Sequence, residues 1–195
     1  MTTFYLVRHG EAQWDIARER NLRGWGGDLV PLTTMGVKQI ELTGNALRHR
    51  FPQLVISSPM TRALNSAAIL SRLLDLPLQV EFDLHEWIPD TSFSWNDRSQ
   101  VLESATDMRQ WRGEWPQGAE KNWEPLSAVS NRVVRVLHRY EHFDKVIAVC
   151  HEVIIYALTG KEAKPGEFYK YHSSSTPFHL RKGQNVRSHH QRKTN

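Results

Sequence analysis

The sequence predicts an α/β fold: a three-layer sandwich with a mostly parallel central sheet, helices on both faces and a small irregular cap. Three observations lead there. Four short runs are apolar almost throughout, which suits strands buried on both faces. Between them lie apolar residues at spacings of three and four, the signature of helices that pack by one side. The two patterns alternate along the chain, as they do when helices connect parallel strands.

The elements follow in order. "TFYLV" (3–7) is the first strand. A helical stripe of Val37, Ile40, Gly44, Leu47 and Phe51 comes next, with Thr33 or Thr34 as its N-cap. "LVISS" (54–58) is the second strand, followed by a stripe of Met60, Leu64, Ala67, Leu70 and Leu74. "LQVEF" (78–82) is the third. After an irregular stretch, Leu126, Val129, Val133, Val136 and Tyr140 mark another helix and "KVIAVC" (145–150) the fourth strand. A last stripe runs from His151 through Ile154, Ile155 and Leu158 to a stop at Gly160. "STPFHLR" (175–181) reads as an edge strand, because Pro177 cannot donate to a ladder.

With 195 residues the chain is long enough for one well-buried core. Residues 1–186 are expected to form a single domain with a cap inserted at about 87–124, and 187–195 a basic, flexible tail. Much of the modest charge of +4 falls in that tail, which reads as a solvated terminus, so nucleic acid is not an expected partner. No apolar run is long enough to cross a bilayer. Cys150 has no second cysteine to pair with, and the first strand begins at Thr2 or Thr3, leaving no room for a secretory signal. The expected location is cytoplasmic. The oligomeric state stays open, a homodimer included.

The residues least at home in a core sit where strands finish. Arg8 and His9 follow the first strand, Arg62 comes soon after the second, Glu86 follows the third in "DLHEW", and His151 follows the fourth. Ligands of parallel sheets bind at such ends. Two arginines offer planar forks that match phosphate oxygens, and a helix starting at His151 adds amide donors and a positive dipole end. Gly10 would let the backbone approach the ligand closely. A neutral imidazole is a nucleophile for phosphorus when its other nitrogen is fixed as a donor, and the leaving alkoxide needs a proton, for which Glu86 is the available acid. The two roles pull on Glu86 in opposite directions: nearby arginines lower its pKa, burial and a bound phosphate raise it.

"LVRHGEAQWD", "PLTTMGVKQ", "SSPMTRALNSAAIL", "DLHEW" and "VIAVCHEVI", in that order, resemble the histidine phosphatase superfamily, also called the phosphoglycerate mutase-like family. The resemblance covers roughly residues 3–90 and 125–180. It implies that His9 is the phosphorylated nucleophile, that Arg8 and Arg62 hold the phosphate, that His151 contacts it, and that Glu86 donates the proton. It implies no metal and no organic cofactor. The substrate would be a small phosphorylated metabolite. Members that act as mutases carry a longer insertion than the compact segment here, which favours hydrolysis over phosphoryl transfer to a second hydroxyl.

Two positions depart from the pattern. Glu152 stands where the family usually has glycine; its backbone N–H can still face phosphate, and its side chain is expected to reach solvent, as a helix's first turn allows. Asp15 stands where many relatives have asparagine near the phosphate, and is expected to orient Arg8 or Arg62 or to cap the next segment. If these carboxylates spoil catalysis, the chain is a phosphate-binding module. The cap holds five of the seven tryptophans, read mainly as its own packing, with Asp97, Arg98, Arg109 and Arg112 among its charges. His138 and His142, one turn apart, read as a solvated face rather than a zinc site, and Cys150 as core packing.

Overall fold

The structure, a computed structural model, describes residues 1–95 and 98–181. Strands β1 (Thr3–Arg8), β2 (Leu54–Ser57), β3 (Leu78–Val80), β4 (Lys145–Cys150) and β5 (Phe168–His172) form one sheet in the order β3-β2-β4-β1-β5. The pairs β1–β4, β2–β4 and β2–β3 are parallel, and β5 runs antiparallel to β1. Helices α1 (Trp14–Glu19), α2 (Thr34–Arg48), α3 (Thr61–Leu74), α4 (Arg98–Gln110), α5 (Leu126–His138) and α6 (Glu152–Thr159) complete the fold.

Strand alternation divides the core in two. Tyr5, Val7, Val55, Ile147 and Val149 pack with Ile40 and Leu47 of α2 and Ala67 and Leu70 of α3. Phe4, Leu6, Ile56, Val146 and Ala148 face the other way, onto Val129 and Val133 of α5 and Ile154 and Leu158 of α6. Both faces of the inner strands β1, β2 and β4 are therefore buried, which is why these read as apolar runs. Cys150 lies wholly inside the second cluster. Among the described residues no helix is long and apolar enough to cross a membrane.

Helix ends follow their sequence signals. The Thr33 side chain accepts the Gly36 N–H at 2.9 Å at the start of α2. Gly160 closes α6 with φ 72°, and the Phe178 ring lies 2.7 Å from where a Cβ would stand. Phe51 does not extend the α2 stripe: the helix ends at Arg48, and Phe51 is exposed.

Two expectations are corrected. Residues 175–181 are not a strand; a helical turn occupies 178–181, with the Arg181 N–H donating to the Pro177 carbonyl. Proline suits a helix start as well as a sheet edge, since the first turn has no use for its missing N–H. The edge strand is β5. The cap is also less irregular than expected, because α4 runs through it. Most of its tryptophans pack as anticipated, with Trp111 exposed: Trp87, Trp95 and Trp123 are buried, and the Trp123 and Trp115 indoles donate to Asp107 (2.8 Å) and the Trp123 carbonyl (2.8 Å). Arg109 and Arg112 are exposed, as are His138 and His142. Asp97 and the basic tail, 187–195, lie outside the described residues.

Candidate active site

Three neighbouring parallel strands end within one residue of one another. Arg8 pairs with Cys150 across β1 and β4, and Ser57 with Val149 across β2 and β4. His9 and His151 therefore leave the sheet side by side, and Ser58 follows β2 one step earlier, level with Cys150. The ladder continues one step further through His9 N–H to the Cys150 carbonyl (3.1 Å) and Ser58 N–H to the Val149 carbonyl (3.0 Å). The two imidazoles stand 5.1 Å apart, centroid to centroid, at 64°.

The His9 hydrogen bonds fix its tautomer. Nδ1 lies 2.7 Å from the Gly10 carbonyl, which can only accept, so Nδ1 carries the hydrogen and Nε2 the lone pair. Arg62, buried in the first turn of α3, donates its Nε–H to that Nε2 at 3.1 Å. Its other nitrogens reach Asp28 Oδ1 (2.5 Å) and His151 Nδ1 (3.4 Å). His151 Nδ1 is then an acceptor, and its Nε2–H donates to Ser58 Oγ at 2.7 Å. Burial lowers the His9 pKa to about 3, with Arg62 and Arg8 adding to the effect and the Gly10 carbonyl opposing it. Burial and Arg62 also hold His151 well below the usual range. Both imidazoles are neutral at physiological pH.

That depression links His9 to stability. As pH falls below about 6.5, unfolded chains take up a proton that folded His9 refuses until about pH 3, so stability is lost on acidification. At pH 5 this one group costs about 2 kcal/mol. We expect His9→Gln to narrow the gap between thermal midpoints at pH 7 and pH 5, as calorimetry can show.

Arg8 is held differently. One terminal nitrogen donates to the Ala163 carbonyl at 2.6 Å, the other meets Glu152 Oε2 at 2.8 Å, and Nε is buried without a hydrogen-bond partner. Glu152 thus does not turn freely into solvent, as the sequence led us to expect. The α6 N-terminus brings it beside Arg8, and pairing gains more than hydration alone when the carboxylate is only partly exposed. It occupies a donor that an anionic ligand could otherwise use. We expect Glu152→Gln to tighten competitive inhibition by inorganic phosphate roughly 2- to 5-fold, the worth of a partly exposed ion pair.

Glu86 follows a 3-10 turn, Phe82–Leu84, and its Oε1 accepts the Trp87 N–H at 2.9 Å. Burial dominates its titration, pushing the carboxyl up to about 7 against the Trp87 N–H and the charges of Arg62, Arg8 and Arg132. The conflict foreseen between the arginines and burial is decided for burial before any phosphate is bound.

Arg8, His9, Arg62 and His151 are thus joined or adjacent, with Glu86 within reach of both arginines' charge. Of two other expected residues, Asp15 stands elsewhere and Gly10 serves His9 and the packing. Asp15 is exposed on α1 and pairs with Arg18, one turn along its own helix, so it orients neither site arginine. Gly10 is needed for packing: a Cβ there would lie 2.3 Å from the Gly36 carbonyl oxygen at the start of α2, and its N–H donates to Ser66 Oγ at 3.1 Å. Sequence reading missed Asp28, the carboxylate on Arg62, which lies in the 3-10 segment Gly24–Leu29, where no periodicity flags it. It also missed Ser58, the partner of His151, and Trp14, whose ring lies 5.2 Å from the guanidinium carbons of both Arg62 and Arg98.

The model of the histidine phosphatase superfamily (branch 1) matches residues 4–179. The chain belongs to that superfamily. Among named members it is 26% identical over 160 residues to the adenosylcobalamin/alpha-ribazole phosphatase of Escherichia coli (strain K12), covering 80% of this chain and 77% of that one. It is 28% identical over 139 residues to a protein of Yersinia pestis (strain Pestoides F) named as a probable phosphoglycerate mutase, GpmB, covering 71% and 60%. The alpha-ribazole phosphatase from Shigella flexneri shares the superfamily fold, with a TM-score of 0.61 at 23% identity over 87% of this chain and 89% of that one.

Proposed function

We propose that this superfamily member is a metal-independent phosphomonoester phosphatase that acts on a small phosphorylated metabolite through a phosphohistidine on His9, with Glu86 as proton donor. The observation that carries the reading is the state of His9: neutral, tautomer fixed by the Gly10 carbonyl, lone pair on Nε2 aimed at the Arg62 guanidinium. Relatives named as phosphatases support hydrolysis as the outcome.

Binding exchanges the contacts of Arg62 with His9 and Asp28 for phosphate oxygens, and the buried Nε–H of Arg8 gains an acceptor. His9 Nε2 forms a bond to phosphorus as the ester P–O bond breaks, and the proton on Glu86 goes to the departing alkoxide. Water then attacks the phosphohistidine, gives its proton back to Glu86, and breaks the P–N bond to release inorganic phosphate and neutral His9. Guanidinium and imidazole N–H groups hold the transferring charge throughout. Because Glu86 must start protonated, kcat/KM for alkyl phosphates falls as pH rises through about 7.

The test is incubation of the wild type with p-nitrophenyl phosphate and a chelator, following phosphate release and trapping acid-labile phosphoenzyme. Chelator-resistant release with a labelled histidine is expected. Absence of both from folded protein, or isomer formation outrunning phosphate release with a phosphorylated diol, would overturn the reading.

A further inference from the structure

The best-buried ion pair near the site joins two residues that the proposed chemistry leaves unused. Arg132, on α5, is 6% exposed and Glu124, at the end of the cap, 8%. The guanidinium meets both carboxylate oxygens, at 2.7 and 3.0 Å. Such a pair is a poor means of stabilising a core, since apolar side chains of equal volume do as well without the desolvation of two charges. What distinguishes this one is what else it holds.

Arg132 also donates to three backbone carbonyls of a single turn: Asp83 (2.5 Å), His85 (2.9 Å) and Glu86 (3.3 Å). The Glu86 carbonyl takes a second bond from His85 Nδ1 at 2.7 Å. Glu124 secures the residues that follow. Its Oε2 accepts the Ile88 N–H (3.3 Å), its carbonyl accepts the Trp87 indole N–H (2.6 Å), and its own N–H donates to the Ile88 carbonyl (2.9 Å). The backbone of Glu86 is thereby fixed from both sides, and the beginning of the cap is tied to its end. A fork of planar donors can serve two carboxylate oxygens and three carbonyls at once; a lysine ammonium cannot.

We infer that Arg132 and Glu124 are positioning residues for the proton donor, holding the Glu86 backbone so that its carboxyl meets the leaving oxygen. This rests on Glu86 being the acid. Its consequence is selective: a misplaced acid slows departure of a basic alkoxide, which needs the proton, and hardly affects nitrophenolate, which does not.

The experiment compares kcat/KM, which reports the steps up to departure of the leaving group, for an alkyl phosphate and for p-nitrophenyl phosphate in wild type, Arg132→Lys, Glu86→Gln and the double variant. Arg132→Lys is expected to lose about 10- to 100-fold on the alkyl ester and less than about 3-fold on the nitrophenyl ester, with little further loss once Glu86 is glutamine. Should Arg132→Lys not fold, Glu124→Gln, which keeps the shape but sets an amide donor against the Arg132 guanidinium or the Ile88 N–H, should show the same discrimination to a smaller degree. Equal losses on both esters, or full additivity with Glu86→Gln, would make the pair merely structural and overturn the inference alone. Equal losses on both esters for Glu86→Gln itself would overturn the acid assignment and, with it, the positioning role.

Discussion

His9→Ala should eliminate both phosphate release and the acid-labile phosphoenzyme, while the variant remains folded. The expected loss is on the order of 10⁴-fold or more, because removing a covalent nucleophile leaves only binding and charge stabilisation to act on the ester. Folding should survive. His9 carries no charge, and its removal frees the Arg62 Nε–H beside Asp28, so the guanidinium keeps a carboxylate partner. The informative pairing is turnover with phosphate affinity. With Arg8, Arg62 and His151 in place the variant should still bind inorganic phosphate, as titration calorimetry can measure, and retained turnover would mean that water attacks phosphorus directly.

Glu86→Gln should lose ~10²- to 10⁴-fold in kcat/KM with alkyl phosphates, the usual contribution of a general acid. With p-nitrophenyl phosphate the loss should shrink below about tenfold, since nitrophenolate leaves unprotonated. The fall in rate through about pH 7 should flatten in the same variant, because the group whose deprotonation causes it is gone. Glutamine preserves the shape and can keep the contact with the Trp87 N–H, so a fall in activity would report the proton and not a rearranged turn.

The residues that were legible in the sequence share a simple cause. β4 is legible at its observed bounds because five consecutive apolar residues after Lys145, rich in β-branched side chains and set between polar turns, suit a short buried strand. Arg8, His9 and His151 stood out because charge and imidazole at the end of such a run make no sense as packing. β5 was passed over because "FYKYH" interleaves aromatic and polar side chains, the weaker mark of a half-exposed edge, while Pro177 drew attention downstream. α4 buries little beyond Met108, so it writes no stripe. Asp28, Glu124 and Arg132 gave no sign at all: Asp28 acquires its role from Arg62, and Arg132 and Glu124, a near pair, acquire theirs from the distant turn around Glu86. An arginine next to Val133 on an apolar helix reads as a surface residue until its carboxylate is found. Glu152 does reach solvent in part, as expected, but its ion pair with Arg8 was not legible, since that depends on where Arg8 ends, across a different strand.

The strand order has a consequence for how the protein comes into being. Both neighbours of β1, namely β4 and β5, are encoded after residue 144, and β4 must enter between β1 and β2. An emerging chain that has made only its first half holds β2 and β3 as a possible pair and β1 with no ladder at all. The imidazole at position 9 acquires its position only when the last third of the polypeptide has been synthesised. Such distant pairing closes long loops before contacts reward them, which slows folding and leaves an apolar strand bare during translation. A truncated product ending within the cap should therefore bind chaperones or aggregate rather than persist as a soluble half.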